Sequence, residues 1–383
     1  MVTPRDSNVA DIRPLHYDHT TMRVDDLDYE LPPGRIATEP AEPRDAARLM
    51  VVDRKHQQIE HHHVRDLLGV SGCPQPGDLM VFNQTRVLPA YFTAIRAATG
   101  GKVSGLYLAV SDGLWRIMLE SRGTLQAGEL ITLDGETSLE LVNRVDGGEW
   151  RARLHSPQDT VATLLRIGVT PLPPYIRQER RAKGEKEIRP DDATRYNTVF
   201  ARDAGSVAAP TAGLHFTPSL LKAIDAAGVR RASITLHVGL GTFSPVRTEN
   251  LEDHTIHHEW IDIPRETIAL LQKTREAGGR IIPVGTTTVR ALESLPQNWE
   301  SLEGYTAETD LFITPSLSKN GTGAFAFRFT DALMTNFHLP RSTLLAMVAA
   351  LPKVGVDRLK LWYHTAVAEG YRFYSYGDAM FII

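Results

Sequence analysis

A chain of 383 residues, 42% hydrophobic and 23% charged, is long enough to bury the cores of two or three domains without disulfide or metal staples. Its single cysteine, Cys73, excludes a disulfide framework and any multi-thiolate zinc or iron–sulfur site within one chain, and fits a reducing, cytoplasmic setting. With a formal net charge of −4, a nucleic-acid partner must be met by a local basic patch and not by the field of the whole molecule.

In chain order, Met1 to Thr21 carries mixed charge and no apolar run. It reads as a mobile extension and not a signal peptide, with Met22 as an alternative start. No run anywhere approaches the ~18 apolar residues of a membrane span, so no membrane partner is expected. Residues 74–156 read as all-β: short alternating stretches at Asp78–Phe82, Tyr91–Arg96, Val103–Val110, Trp115–Leu119, Glu129–Leu133, Ser138–Val142 and Glu149–Leu154 are separated by Gly and Asp turns. That spacing predicts a small antiparallel barrel or sandwich. The stretch Arg177–Arg189 is rich in charge and lacks apolar rhythm, and reads as an exposed, mobile insertion. It is either a solvated linker or a loop that contacts phosphates.

Residues 205–383 alternate helix and strand. Thr217 caps a helix with Pro218 at its first position, and Arg231–Val238 follows as a strand. Pro264 opens a second helix closed by Gly278-Gly279, and Arg280–Val284 is the next strand. Helices over Ser342–Leu351 and about Val356–Glu369 precede a last strand at Tyr371–Tyr376. Each early strand runs into a glycine-containing loop, which predicts an α/β fold with a mostly parallel sheet flanked by helices and ligands at the strands' carboxyl ends.

The chemistry-bearing candidates lie in those loops. HExxH, CxxC, Walker A and GxSxG motifs are all absent from the sequence, so no metal site is expected. His61-His62-His63 cannot all grip one ion from a strand whose side chains alternate faces. Gly239-Leu240-Gly241 is half of a dinucleotide fingerprint, but Ser244 and Pro245 stand where a third glycine and a helix are needed. Gly285-Thr286-Thr287 ends a strand and opens a helix, as an anion site or as a structural cap. His215, His237 and His338 stand in apolar or glycine-rich surroundings near strand ends, where histidine serves as general acid or base.

The runs Pro210–Thr217, Leu236–Phe243 and Thr335–Thr343, with shorter blocks from Leu27 to Met380, resemble the signature segments of the S-adenosylmethionine:tRNA ribosyltransferase-isomerase family. The resemblance implies a discontinuous α/β domain, here residues 22–73 and 157–383, with an inserted antiparallel β-barrel domain over 74–156. It implies transfer and isomerisation of the ribosyl group of S-adenosylmethionine, consumed as co-substrate without a metal, onto 7-aminomethyl-7-deazaguanine at the tRNA wobble position. Epoxyqueuosine, adenine and methionine are the implied products, and the tRNA anticodon loop is the implied partner of a monomer.

On this reading His215, His237 and His338 share the proton work, with base and acid unassigned. Thr211, Gly213, Gly239, Gly241, Thr242, Gly285, Thr286, Thr287, Asn336 and Arg341 are candidates for S-adenosylmethionine. Arg86, Arg290, Asp310 and Asp378 are candidates for the acceptor or tRNA. The methionine carboxylate falls to the Gly285–Thr287 helix start, with Arg341 or Arg290 taking it or a phosphate. Phe243, Tyr371 and Tyr374 are candidate stacking platforms. The chain departs from the family pattern at Gln84, Tyr91 and Ser104, at Glu120-Ser121 and in a longer Ser316–Ala326 connection. Those changes motivate a rival reading, a non-catalytic tRNA-binding paralogue or a transferase with another acceptor.

Overall fold

The computed structural model describes residues 21–145, 148–239, 246, 248–315 and 325–383. The extension expected over Met1–Thr21 and the Ser316–Ala326 connection lie almost wholly outside the described residues, as do Gly241, Thr242 and Phe243.

In chain order, β1 (Arg48–Asp53) and β2 (Gln58–His63) pair antiparallel, and β3 (Leu79–Asn83) and β4 (Thr85–Val87) follow. Then β5 (Tyr91–Arg96), β6 (Lys102–Ser111), β7 (Leu114–Ser121), β8 (Leu130–Thr132), β9 (Ser138–Arg144) and β10 (Glu149–His155) close into a barrel in the order β10-β7-β6-β5-β8-β9. These six strands match the sequence reading. Phe92, Tyr107, Trp115 and Trp150 fill the interior, and Gly105 is required there because a Cβ would stand 2.2 Å from the Phe92 ring. Helix α1 (Thr160–Ile167), capped by Asp159, packs Leu164 onto the same core.

The stretch Asp78–Phe82 corrects the expected boundary. It forms β3, but in the centre of a nine-stranded sheet and not in the barrel. Every β3 residue is buried, as a strand covered on both faces requires, and its unbroken run of apolar residues is the signature of such a strand. The barrel's strands therefore begin at Tyr91, and the insertion does not open at residue 74.

After α1 come α2 (Pro174–Ala182), α3 (Asp192–Arg195), β11 (Asp203–Ser206), α4 (Pro218–Ala226), β12 (Arg230–Leu236), β13 (Glu259–Ile263) and α5 (Arg265–Glu276). The chain ends with β14 (Ile281–Val284), α6 (Thr286–Glu293), β15 (Tyr305–Thr309), β16 (Leu333–Asn336), α7 (Thr343–Ala349), α8 (Gly355–Ala368) and β17 (Ala379–Ile382). The large sheet runs β15-β13-β12-β3-β14-β16-β17-β1-β2. It is mixed: β12, β3, β14 and β16 are mutually parallel at its centre, and the flanking strands include antiparallel pairs. A separate parallel pair, β11 with β4, lies beside the barrel entry. Local chemistry sets the helix starts as expected. Thr217 accepts a hydrogen bond from the Leu220 amide with Pro218 next to it, and Ser342 accepts one from the Leu345 amide.

Two further expectations are corrected. The last strand is Ala379–Ile382 and not Tyr371–Tyr376. The aromatic run before it folds inward, with Tyr371, Phe373, Tyr374 and Tyr376 buried and Tyr374 at φ 69°, a backbone that no strand adopts. The Arg177–Arg189 stretch is folded. It forms most of α2 and the turn after it, and its arginines are paired within the protein. Arg177 and Arg181 meet Glu187, and Arg189 meets Glu39 and Glu185. Arg180 is fully buried and holds Asp192 through two 2.8 Å hydrogen bonds. Removing one partner of such a pair strands a charge without water. Asp192→Asn is expected to lower unfolding free energy by about 3–5 kcal/mol in urea titrations.

Candidate active site

The four parallel strands end on one edge of the sheet, and each delivers polar groups there. From β3 comes Asn83, which is 3% exposed. Its Oδ1 accepts from the Thr85 amide at 3.0 Å and the Leu236 amide at 3.2 Å. Its Nδ2 donates to the Leu236 carbonyl at 3.0 Å and to Thr287 Oγ1 at 3.3 Å. One amide thus fixes the end of β12 against the start of α6. After β14, Gly285 adopts φ 93° to turn into α6, a conformation open to glycine. Every residue of α6 is buried. From β16 come Thr335 and Asn336, with His338 two residues on.

These ends surround a cleft of about 650 Å³, open mouth included. Thr211, Gly285, Thr286, Thr287, Thr335, Asn336, His338 and Ser342 supply its polar wall, and Tyr175, Val238, Phe337, Leu344 and Tyr374 its apolar wall. Asn336 is held on every side. Thr211 Oγ1 donates to its Oδ1 at 2.9 Å, and its Nδ2 donates to the Tyr374 carbonyl and to His215 Nε2, both at 3.1 Å. The first two contacts fix which way the amide points. The third then requires His215 Nε2 to be unprotonated, with the proton on Nδ1. His338 reaches the cleft directly. Its Nε2 meets Thr335 Oγ1 at 2.9 Å, its amide donates to Tyr363 Oη at 2.9 Å, and Tyr29 Oη donates to its carbonyl. Burial pushes the His338 imidazole down to about 3. Burial, partly offset by Asp378, pushes His215 down to about 4. Both rings are neutral at pH 7.

Several sequence candidates lie elsewhere. His237 is outside the cleft. Its Nδ1 meets Thr85 Oγ1 at 2.8 Å, and its ring stacks on Trp260 with centroids 4.9 Å apart. Neighbouring side chains on an extended strand point to opposite faces, so Val238 lines the cleft and His237 does not. Gly213 is buried against Thr198. Arg341 is half-exposed and paired with Asp25 and Asp28. Arg86 donates to the Ala201 carbonyl at the surface, and Asp310 is exposed after β15. Asp378 is buried as a staple, accepting from the Arg48 amide and from the Arg372 amide and guanidinium. Tyr371 is buried beneath the Arg48 guanidinium, 3.9 Å from its ring centroid. Tyr374 lines the cleft. Burial pushes the Cys73 thiol up to about 12, which leaves no thiolate at neutral pH.

A second, narrower pocket, about 440 Å³ with its open mouth included, adjoins the first, and Leu344 lines both. Arg290 and Glu259 form a buried ion pair in its wall, and Glu259 Oε1 also accepts from the Gly239 amide at 3.1 Å. The sequence reading missed Asn83, Glu259, Tyr175 and Ser342 as site residues. Their defining contacts, Asn83 with Leu236 and Thr287 and Glu259 with Gly239 and Arg290, are distant in sequence, so no local signal marks either residue.

The fold and its cleft are those of an α/β enzyme with a pocket at the ends of parallel strands, where ligands of such sheets gather, and with a closed β-barrel as an insertion. The chain belongs to the queuosine biosynthesis protein family, whose model matches residues 24–382. Its relatives include the S-adenosylmethionine:tRNA ribosyltransferase-isomerases of Thermotoga maritima, 44% identical over 94% of this chain and 100% of that protein, and of Moorella thermoacetica, 42% identical with the same coverage. The crystal structure of the S-adenosylmethionine tRNA ribosyltransferase from Thermotoga maritima superposes with a TM-score of 0.52 and 35% identity, covering 94% of this chain and all of that one.

The two most strongly depressed histidines, His215 and His338, make stability depend on pH. Below the ordinary histidine pKa of about 6.5 the unfolded chain binds protons that the native rings refuse, so stability falls as pH drops from there towards 4. Each ring contributes about 1.4 kcal/mol per pH unit in that window. Urea unfolding at pH 7, 6 and 5 is expected to show this slope, and His338→Gln is expected to reduce it.

Proposed function

We propose that this chain transfers and isomerises the ribosyl group of S-adenosylmethionine onto 7-aminomethyl-7-deazaguanine at the wobble position of tRNA, giving epoxyqueuosine, adenine and methionine. The observation that carries this reading is the cleft itself, on a chain that spans the whole length of relatives named for that activity.

The cleft suits S-adenosylmethionine in three ways. Tyr175, Phe337 and Tyr374 offer aromatic faces to a sulfonium, an attraction worth about 0.5–2 kcal/mol. Thr211, Ser342 and the α6 start offer hydroxyls and amides to ribose and adenine. His338 is the neutral imidazole at the wall. It takes a proton from the carbon beside the sulfonium, which that positive charge makes acidic. Burial disfavours the resulting imidazolium, which costs the abstraction and favours passing the proton on to the departing adenine. His215 acts through Asn336, whose amide it orients, and is a positioning residue.

For the acceptor, unpaired bases of the anticodon loop are expected to stack on exposed aromatic rings. Trp260 is 39% exposed and is backed by His237. It serves as a platform in place of the buried Tyr371.

The decisive test incubates the purified chain with S-adenosylmethionine and tRNA carrying 7-aminomethyl-7-deazaguanine. Epoxyqueuosine is then sought by mass spectrometry, with free adenine measured in parallel. Both products together are expected. Adenine without the modified nucleoside would indicate a different acceptor, and neither product from a folded, tRNA-binding sample would support a non-catalytic role. His338→Gln is expected to lower turnover by about 10²–10⁴ with the fold intact by circular dichroism. Trp260→Ala is expected to weaken tRNA binding by roughly 5- to 100-fold while leaving S-adenosylmethionine binding unchanged, as filter binding and calorimetry would show.

A further inference from the structure

The second cavity contains an unsatisfied, specific donor pair. Arg290 is 7% exposed, and its Nη1 donates to Glu259. Its Nε and Nη2 are buried and have no hydrogen-bond partner among the described residues. Those two N–H groups form the side-on fork of a guanidinium, two parallel donors spaced for the two oxygens of a carboxylate. Leaving such donors dry and unpaired is costly, so they mark a place where a ligand's acceptors belong.

Three ligand groups could meet the fork, and the surroundings choose among them. A guanine base takes a bidentate arginine through O6 and N7. The 7-deazapurine acceptor carries carbon at that position and offers only one of the two acceptors. A phosphate would place its further anionic oxygens beside the Glu259 carboxylate. An α-amino acid sets an ammonium next to its carboxylate, which matches an arginine fork beside a glutamate. Position agrees with this choice. Val238 lines the first cleft, the next residue, Gly239, donates its amide to Glu259, and Leu344 is common to both cavities.

We propose that the second cavity is the subsite for the methionine half of S-adenosylmethionine, with the Arg290 Nε/Nη2 fork receiving the α-carboxylate and Glu259 facing the α-ammonium. The α6 start is thereby left to the ribosyl part of the ligand. This rests on the S-adenosylmethionine reading above.

The test is calorimetric binding of S-adenosylmethionine and of its decarboxylated analogue to the full chain. The wild-type protein is expected to prefer S-adenosylmethionine by roughly 10- to 100-fold. Arg290→Gln is expected to bind the two about equally, and Arg290→Lys, which keeps the charge without the fork, to fall between. Because Arg290→Gln strands Glu259, the double variant Arg290→Gln/Glu259→Gln is measured beside it, with folding checked by circular dichroism. It too is expected to lose the preference. Equal binding by the wild-type protein overturns the proposal, and a preference that survives both substitutions overturns it and returns the carboxylate to the α6 start. Weakened tRNA binding with the preference intact overturns it in favour of a phosphate. Failure of the wild-type protein to bind S-adenosylmethionine at all removes the underlying reading, and this proposal with it.

Discussion

The buried amide of Asn83 is the constraint on which the site's geometry depends. It stands where the central strand of the sheet ends, and its four hydrogen bonds reach the chain just beyond it, both backbone groups of Leu236, and Thr287. A carboxamide is well suited to this role because it carries donors and acceptors on one rigid plane without a charge to desolvate. Once it is satisfied, the end of β12 and the first turn of α6 cannot shift independently. Asn336 repeats the device one strand away, binding the loop of Thr211, the His215 ring and the Tyr374 backbone. The cleft is therefore framed by two neutral, saturated amides whose partners lie far apart in sequence.

Charge is placed differently. The buried or half-buried ion pairs Arg180–Asp192, Arg280–Asp78 and Arg372–Asp378 fasten loops and helix ends away from the cleft. Asp78 also accepts the Gln75 and Arg280 amides, and Asp378 the Arg48 and Arg372 amides, so each carboxylate does the work of a small turn. In the first cleft the titratable groups, His338 and the tyrosines, are held neutral by burial. On the function proposed above, a cationic sulfonium would meet dipoles and aromatic rings there, and no fixed cation among the described lining residues.

Much of this was legible in the sequence where the signal is local. The six barrel strands show period-two alternation between Gly and Asp turns, and the caps Thr217 and Ser342 stand where helices begin. The lines that failed depend on distant partners. β3 is the exception: its spacing groups it with the barrel, although its unbroken apolar run, unlike the barrel's alternation, is that of a strand covered on both faces. Arg177–Arg189 lacks apolar rhythm because its order comes from Glu39 and Asp192 and not from a hydrophobic face. His215 and His338 stood out as polar residues in apolar runs, whereas His237 satisfied the same cue but faces the other side of its strand. Arg290 and Glu259 meet across two separate elements, and neither position announces the other.

The histidine triplet His61-His62-His63 acquires a meaning from its place in the sheet. A closed barrel has no free edge, so the open edges of the strand architecture include the two ends of the large sheet, β2 and β15. The first reads Gln-Ile-Glu-His-His-His and the second Tyr-Thr-Ala-Glu-Thr. Polar and ionisable side chains on an edge make it a poor template for strand addition by another chain. Resistance to edge-to-edge association is thus written into an outer strand that lines neither cavity.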